Sequence, residues 1–251
     1  MRNTKLSIVI PAFNEAVRLP PSLHRIGTYL REDPTLLPAE VLVVDDGSSD
    51  ATAETAAAVQ MPDGIDLKVL VHPTNRGKGA AVRSGFSTTT GAWVLLTDAD
   101  LSAPIDELKV LLAAAAADRV VIGSRAVDRH LIENPQPWYR DLMGRTFNLG
   151  VRSLALGDLH DTQCGFKLFP GDLARALAPS QRLDGFAFDV ELLVLARWWG
   201  YAIREVGVRW RHVDASRVSP IRHSSQMMRD LLRLWWWRSA GRLPVRPGNQ
   251  T

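Results

Sequence analysis

The chain has 251 residues, of which 30 are Lys or Arg and 27 are Asp or Glu, giving a net charge of +3 with 46% hydrophobic and 23% charged side chains. These proportions exclude a disordered or fibrous chain, and the single cysteine, Cys164, excludes a disulfide scaffold or a cysteine-rich zinc site. The charge is uneven: Arg217–Thr251 holds seven arginines and one acid, Asp230, whereas the residues before it are net acidic. A tail of that kind fits an anionic surface (membrane, nucleic acid or acidic protein) or a solvated arginine-rich helix face.

The first apolar run, Leu6–Ile10, is too short for a signal-peptide core and stops at Pro11. Nowhere do ~18 apolar residues follow one another, so no transmembrane helix is expected. A cytoplasmic protein is expected, with any membrane contact peripheral, at the inner face. Strands are predicted at Leu6–Ile10, Val41–Asp45, Leu67–Val71, Trp93–Thr97 and Arg119–Gly123. Between them lie helical patterns at about Val17–Arg31, Ser49–Gln60, Gly77–Thr90 and Pro104–Ala117, with Ser49 and Asp50 as an N-cap region. Strands apolar on both faces that alternate with helices predict βαβ units around a mostly parallel sheet. Residues 126–140 are polar, contain Pro135 and Pro137, and read as a loop. A helix follows at Trp138–Leu156, then a strand at Cys164–Phe169, a helix at Phe188–Trp199, a strand at Ala202–Val208 and a helix over Gln226–Arg238. The alanine run Ala113–Ala117 reads as a helix surface. A single domain over 1–220 and a basic, Trp-rich helical tail over 221–251 are expected.

Several motifs are excluded. No G-x-G-x-x-G follows the first strand. Asn75-Arg76-Gly77-Lys78-Gly79 is like a phosphate loop, but His72 stands where its first glycine belongs and Gly79 where Ser or Thr should hold magnesium. There is no G-x-S-x-G and no H-E-x-x-H, and the six histidines are scattered. Three acidic segments instead follow strands: Pro11-Ala12-Phe13-Asn14-Glu15, Asp45-Asp46-Gly47-Ser48-Ser49-Asp50 and Asp98-Ala99-Asp100. Ligands of open parallel sheets bind at the carboxyl ends of strands, so these segments are expected to converge on one crevice. The D-x-D spacing turns both carboxylates to one side of an extended segment, and hard oxygen ligands suit Mg²⁺ or Mn²⁺ with substrate phosphates completing the shell.

The segments Ser7–Glu15, Val44–Asp50 and Asp98–Asp100 resemble, in order and spacing, the signature of inverting family 2 glycosyltransferases with a GT-A (Rossmann-like) fold. Asp98–Pro104, Gly123-Ser124-Arg125 and Asp161–Phe169 are similar to polyprenyl (dolichyl) phosphate sugar synthases, above all the β-glucosyl branch. The resemblance runs from about Leu6 to Pro220. It implies a nucleotide-sugar donor, a polyprenyl monophosphate acceptor and Mg²⁺ or Mn²⁺. It implies Pro11, Phe13 and Glu15 around base and ribose, Asp46 on the base, and Ser48 and Lys78 in the same donor site. Asp98 and Asp100 would engage ribose, metal and diphosphate; Gln163, Asp189 and Glu191 would lie near the sugar. Arg125 and Arg140, helped by Arg145, would grip the acceptor phosphate, and Arg211 and Arg217 would sit in a loop over the donor diphosphate. Ser102 stands where the mannosyl branch has Gln, Gly144 where that branch has an acceptor-binding Ser, and Ala215-Ser216-Arg217 where the glucosyl branch has Gly-Ser-Lys; the resemblance implies inverting transfer of a hexose, glucose from UDP-glucose first, with GDP-mannose and UDP-GlcNAc as the alternative donors. Asp189 and Glu191 also suit a helix N-terminus, and Cys164 suits a small buried apolar position.

The tail interleaves Leu231, Leu232, Leu234 and Trp235-Trp236-Trp237 with Arg229, Arg233 and Arg238. That pattern fits an interfacial helix on an anionic membrane, and also a Trp-rich oligomer interface or a core-packing helix. No RNA-binding signature accompanies the arginines, so no nucleic-acid partner is expected. A soluble nucleotidyltransferase is a competing enzyme class, disfavoured by the missing N-terminal Gly-rich phosphate loop.

Overall fold

The computed structural model describes residues 4–134, 151, 156–211 and 220–247. Most of the expected helix at 138–156, with Arg140, Gly144 and Arg145, lies outside the described residues, and so does Arg217. Strands β1 (Leu6–Ala12), β2 (Ala39–Asp45), β3 (Ile65–Val71), β4 (Trp93–Leu96) and β5 (Arg119–Ser124) match the five predicted runs to within a few residues. A short β6 (Ile132–Asn134) pairs in parallel with β9 (Trp210–Arg211), outside the main sheet. With β7 (Lys167–Pro170) and β8 (Ala202–Gly207), the main sheet has seven strands in the order β3-β2-β1-β4-β7-β5-β8. Only β7 runs antiparallel to its neighbours.

Both faces of the sheet are covered. Leu6, Ile8 and Ile10 of β1 point to one core, with Leu19, Leu23, Ile26 and Leu30 of α1 (Leu19–Glu32) and Leu108 and Leu111 of α4 (Leu108–Ala113). Ala56 of α2 (Thr52–Ala57) packs on the same side. Val9 points the other way, to Val82 and Phe86 of α3 (Lys78–Thr88), Leu173 and Leu177 of α5 (Gly171–Ser180) and Leu192 and Leu195 of α6 (Phe188–Trp198). The alternation follows from the two-residue period of a strand. At the centre, the Phe86 and Phe169 rings meet edge to face at 5.2 Å, a favoured aromatic geometry. Glu40, buried at the start of β2, accepts from Ser7 Oγ at 2.5 Å, Thr90 N at 2.6 Å and Lys68 Nζ at 3.0 Å. Burial opposes its charge, but these donors outweigh it and hold the carboxyl below the usual glutamate range.

Local chemistry shortens several predicted elements. α2 spans only Thr52–Ala57 because Ser48, Ser49 and Asp50 are spent on loop hydrogen bonds. The Pro104–Ala117 segment splits into a 3-10 turn, Ile105–Glu107, and α4; only Ala113 of the alanine run is helical, and the chain turns off after it with Ala114 and Ala115 bonded back to Leu111 and Leu112. The expected loop at 126–140 contains a 3-10 turn, Arg129–Leu131, and β6. β7 begins at Lys167 rather than Cys164, since the Lys167 ammonium turns back to the Cys164 carbonyl at 2.6 Å. Helix α5 has no counterpart in the sequence reading: Pro170, Gly171 and Pro179 punctuate it like turns.

The last helix, α7 (Pro220–Ser239), starts six residues before the predicted bound, with Pro220 at its first position, where a missing N–H costs nothing. Leu231 and Leu234 are each 1% exposed and join the core of Val9 and Phe86, as does Leu243 beyond the helix. Among the described residues no helix is long and apolar enough to cross a membrane. Leu234→Ala is expected to lower unfolding stability by about 2–4 kcal/mol, read by urea denaturation followed at the tryptophans. A change below about 0.5 kcal/mol would show that α7 is not part of the folded unit.

Candidate active site

The carboxyl ends of β1, β2 and β4 open into one pocket of about 670 Å³, and the three acidic segments meet there as expected. Its walls include Pro11, Phe13, Glu15, Asp46, Lys78, Asp98 and Asp100. The loop after β1 is fixed by the loop after β2. Asn14 adopts a left-handed φ of 57°, donates its amide to Ser48 Oγ at 2.8 Å, and accepts from Ser49 N at 2.8 Å. Ser48 in turn donates its hydroxyl to Asp45 Oδ1 at 2.5 Å. Thus Ser48 stitches two loops behind the pocket and is not part of its wall.

Asp46 is the anchor for the third side. Its Oδ2 accepts from Gly77 N at 2.7 Å; its Oδ1 accepts from Arg76 N at 3.0 Å and lies 2.7 Å from His72 Nδ1. His72 Nε2 lies 2.9 Å from Ser84 Oγ, so the histidine is a buried structural link. Gly77 has φ 105°, and a Cβ there would meet the Asp184 carbonyl at 2.4 Å; only glycine fits. The neighbouring Gly79 amide donates to the same carbonyl at 2.8 Å. These contacts seat Lys78 at the first turn of α3, facing β4.

Lys78 Nζ donates to Asp98 Oδ1 at 2.6 Å. Burial lowers the lysine pKa, but Asp98 and Asp189 overcome it and hold the ammonium charged. Asp100 Oδ1 accepts from Ser102 N at 3.0 Å and Ser102 Oγ at 2.9 Å, while its Oδ2 lies 3.9 Å from Arg18 Nη1. Arg18 also forms a fork with Glu15, with Nε 2.7 Å from Oε2. Between the two aspartates and Ser102, Leu101 takes a φ of 47° with its side chain buried, a strained state for a bulky residue that is found most often at functional sites. Among the described residues no three His, Cys, Asp or Glu side chains are placed to share an ion. Asp98 and Asp100 are the two carboxylates that could hold a divalent cation here, one that would draw its other oxygens from a diphosphate and water, as Mg²⁺ does.

A second polar cluster lies beside the pocket. Arg125 donates Nε and Nη2 to Asp161 at 2.6 and 2.7 Å, and its guanidinium lies 5.5 Å from the Trp210 ring centre. Burial works against the Asp161 charge, but Arg125 dominates and holds its carboxyl below the usual range. Asp161 Oδ1 also accepts the Gln163 amide at 3.3 Å. Lys167 is fully buried and pairs with Asp189 at 2.5 Å. Burial pushes the Asp189 carboxyl up and pushes the Cys164 thiol up to about 12, so Cys164 is an inert buried thiol. Glu191 accepts from Arg182 N at 2.9 Å and Leu183 N at 2.8 Å beneath the segment 182–186.

Gln163, Asp189, Glu191, Arg125 and Arg211 are therefore not among the residues lining the pocket. Arg211 is exposed on β9, and its amide donates to Ser102 O at 2.9 Å, which places β9 against the Asp98–Ser102 turn. Sequence reasoning missed Arg18, Arg76, Asp184, Gly185, Phe186 and Gln226, all of which line the pocket. Arg18 and Arg76 adjoin recognised segments and were within reach. The others come from distant chain positions with no motif.

Burial raises the Glu191 carboxyl to about 7 despite its two amide donors. A raised acid binds its proton more tightly in the folded state, so stability falls as pH rises from the ordinary glutamate range to about 7. The loss is on the order of 3 kcal/mol. Glu191→Gln is expected to flatten that part of the pH–stability curve in urea unfolding; an unchanged slope would assign it to another group.

Comparison with known proteins places these features in a family. The family model described as glycosyl transferase family 2 matches residues 7–174. A dolichyl-phosphate beta-glucosyltransferase of Drosophila melanogaster is 38% identical over 92% of this chain and 74% of its own length. One from Homo sapiens is 34% identical over 95% of this chain and 78% of its own. Among solved structures, mannosyl-3-phosphoglycerate synthase of Rubrobacter xylanophilus superposes with a TM-score of 0.67 at 20% identity, over 99% of this chain and 79% of that one. Glucosyl-3-phosphoglycerate synthase of Mycobacterium tuberculosis, solved with Mn²⁺ and UDP-glucose, gives 0.60 at 20% identity, over 96% and 80%. The two solved structures share the fold. From the family model and the relatives, the chain belongs to glycosyl transferase family 2.

Proposed function

We propose that this protein transfers glucose from UDP-glucose, with inversion, to a polyprenyl monophosphate such as dolichyl phosphate, forming a polyprenyl-phosphate β-glucose. The observation that carries the reading is the Asp98/Asp100 pair on the wall of a pocket of nucleotide-sugar size, in a chain whose relatives are named for that reaction. The Mn²⁺ and UDP-glucose of the mycobacterial neighbour support the choice of metal and donor.

In this reading Pro11, Phe13 and Glu15 border the uridine, and Asp46 holds the Arg76–Gly77 backbone that the base meets. Asp98 and Asp100 would hold Mg²⁺ or Mn²⁺ against the diphosphate, and the ion would supply charge stabilisation for the leaving group. Lys78 and Arg18 are cations beside both carboxylates and can shift to donor phosphate oxygens; Arg211, on β9, would add a further charge, as would Arg217. Asp189 and Glu191, both buried and bonded, act on the sugar side by positioning, Asp189 through Lys167 and Glu191 through the 182–186 segment. Gln163 stands next to that cluster. The acceptor phosphate has a second pKa near ~6 and is a nucleophile at neutral pH without a strong base, so the protein's task is alignment and charge compensation. Arg125, Arg140 and Arg145 would receive that phosphate, Arg125 by exchanging part of its fork with Asp161.

The acceptor also calls for a lipid surface. Leu232, Trp235 and Trp236 are roughly half exposed on α7, and Arg229, Arg233 and Arg238 are exposed beside them. Such a face suits peripheral attachment of the 221–251 segment at the inner face of a membrane.

Purified protein with radiolabelled UDP-glucose and polyprenyl phosphate is expected to yield labelled lipid; GDP-mannose and UDP-GlcNAc are expected to yield at least tenfold less. No labelled lipid from any donor would sink the acceptor assignment, and a preference for GDP-mannose would replace the sugar. Asp98→Asn is expected to lower kcat/KM about 10²–10³-fold with the melting temperature nearly unchanged. EDTA is expected to abolish turnover and Mn²⁺ or Mg²⁺ to restore it; full activity in EDTA would remove the metal from the scheme.

A further inference from the structure

The donor pocket takes one wall from the C-terminal helix. Gln226 of α7 lines it together with Asp184, Gly185 and Phe186. That loop is gripped along the helix at two points. At one end the Arg182 guanidinium lies 5.1 Å from the Trp237 ring centre, and Arg182 Nη1 donates to Arg242 O at 3.3 Å. At the other end α7 comes so close that a Cβ on Gly185 would lie 3.2 Å from Gln226 Nε2 and 3.8 Å from Asp230 Oδ2. The far side of the loop is fastened to the body by Glu191 and by the Gly79 amide.

Helical spacing places these contacts on one stripe. At about 100° per residue, Gln226, Asp230, Leu234 and Trp237 fall within one quadrant of α7. Met228, Leu232, Trp235 and Trp236 fall on the opposite side, and they are 43%, 52%, 46% and 47% exposed. Arg229 and Arg233 flank that apolar stripe on one side and Arg238 on the other, while Asp230, the helix's acid, is buried on the inner stripe. The outward face is thus apolar and positive, which fits an anionic lipid surface better than a neutral protein partner.

We propose that α7 is a shared wall: its outer face docks on anionic lipid while Gln226 on its inner face contacts the nucleotide sugar, so that lipid docking and donor binding strengthen each other. The inference rests on the nucleotide-sugar reading of the pocket. Both ligands favour the helix seated against the 182–186 loop, and a coupling between two sites is reciprocal. Vesicles therefore tighten UDP-glucose binding by the factor by which UDP-glucose tightens vesicle binding. Gln226 acts as a donor-contact residue presented from the membrane-facing helix.

The test measures UDP-glucose affinity calorimetrically on the full chain with Mn²⁺, with and without vesicles of phosphatidylglycerol and phosphatidylcholine, and vesicle co-sedimentation with and without UDP-glucose. The wild type is expected to gain about fivefold or more in both measurements, and little with phosphatidylcholine alone. Gln226→Ala is expected to bind vesicles as before but to lose the donor response. Leu232→Glu/Trp235→Glu is expected to lose vesicle binding and keep the lipid-free donor affinity. Gly185→Ala, which crowds Gln226, is expected to weaken the response and guards against a misfolded Gln226 variant. Vesicle binding with no change in donor affinity would overturn the coupling and leave the enzyme reading intact. No co-sedimentation would overturn the lipid half. No UDP-glucose binding in any condition would overturn the nucleotide-sugar reading itself.

Discussion

Carboxylates gathered at the ends of parallel strands repel one another unless cations stand between them, and the pocket is built around that constraint. Glu15, Asp46, Asp98, Asp100 and Asp184 share its walls with Arg18, Arg76 and Lys78. Lys78 holds Asp98, and Arg18 bridges Glu15 towards Asp100. At short range and partial burial such pairs are much stronger than surface ion pairs. The acids outnumber the cations on these walls, so the pocket keeps a residual negative charge.

Asp46 makes this arrangement possible although its own oxygens are spent on the protein. By taking the Arg76 and Gly77 amides it seats the first turn of α3 against the end of β2. Lys78 then projects from a fixed backbone. The buried Lys167–Asp189 pair plays a similar part on the other side of Asp98, tying β7 to the start of α6. Removing either partner would strand a charge in the interior, which is why such pairs define geometry more than they add stability.

Helix α7 joins three environments. Leu231 and Leu234 belong to the core, Gln226 lines the pocket, and Leu232, Trp235 and Trp236 face outward. A 3.6-residue period allows one helix to present all three rows at once. The same helix therefore links the wall of the pocket to a solvent-facing apolar and basic row.

By itself the sequence determined the βαβ order, the five leading strands, the three acidic segments and their convergence. Those features are local: β-branched runs between turn residues define strands, and strand ends define where a parallel sheet binds. Tertiary structure alone decided that Arg18 answers Asp100, that Lys78 rests on Asp98, and that Asp184–Phe186 and Gln226 close the pocket. Each is a contact between elements far apart in the chain, and no spacing rule encodes it. The same holds for Glu191, whose place at a helix start suited either a sugar contact or a favourable helix charge; in the fold both its oxygens meet backbone amides. The tail's arginines and tryptophans were visible in the sequence, but only the packing of Leu231 and Leu234 determined which tryptophans face outward, because burying that row turns the opposite side of the helix to solvent.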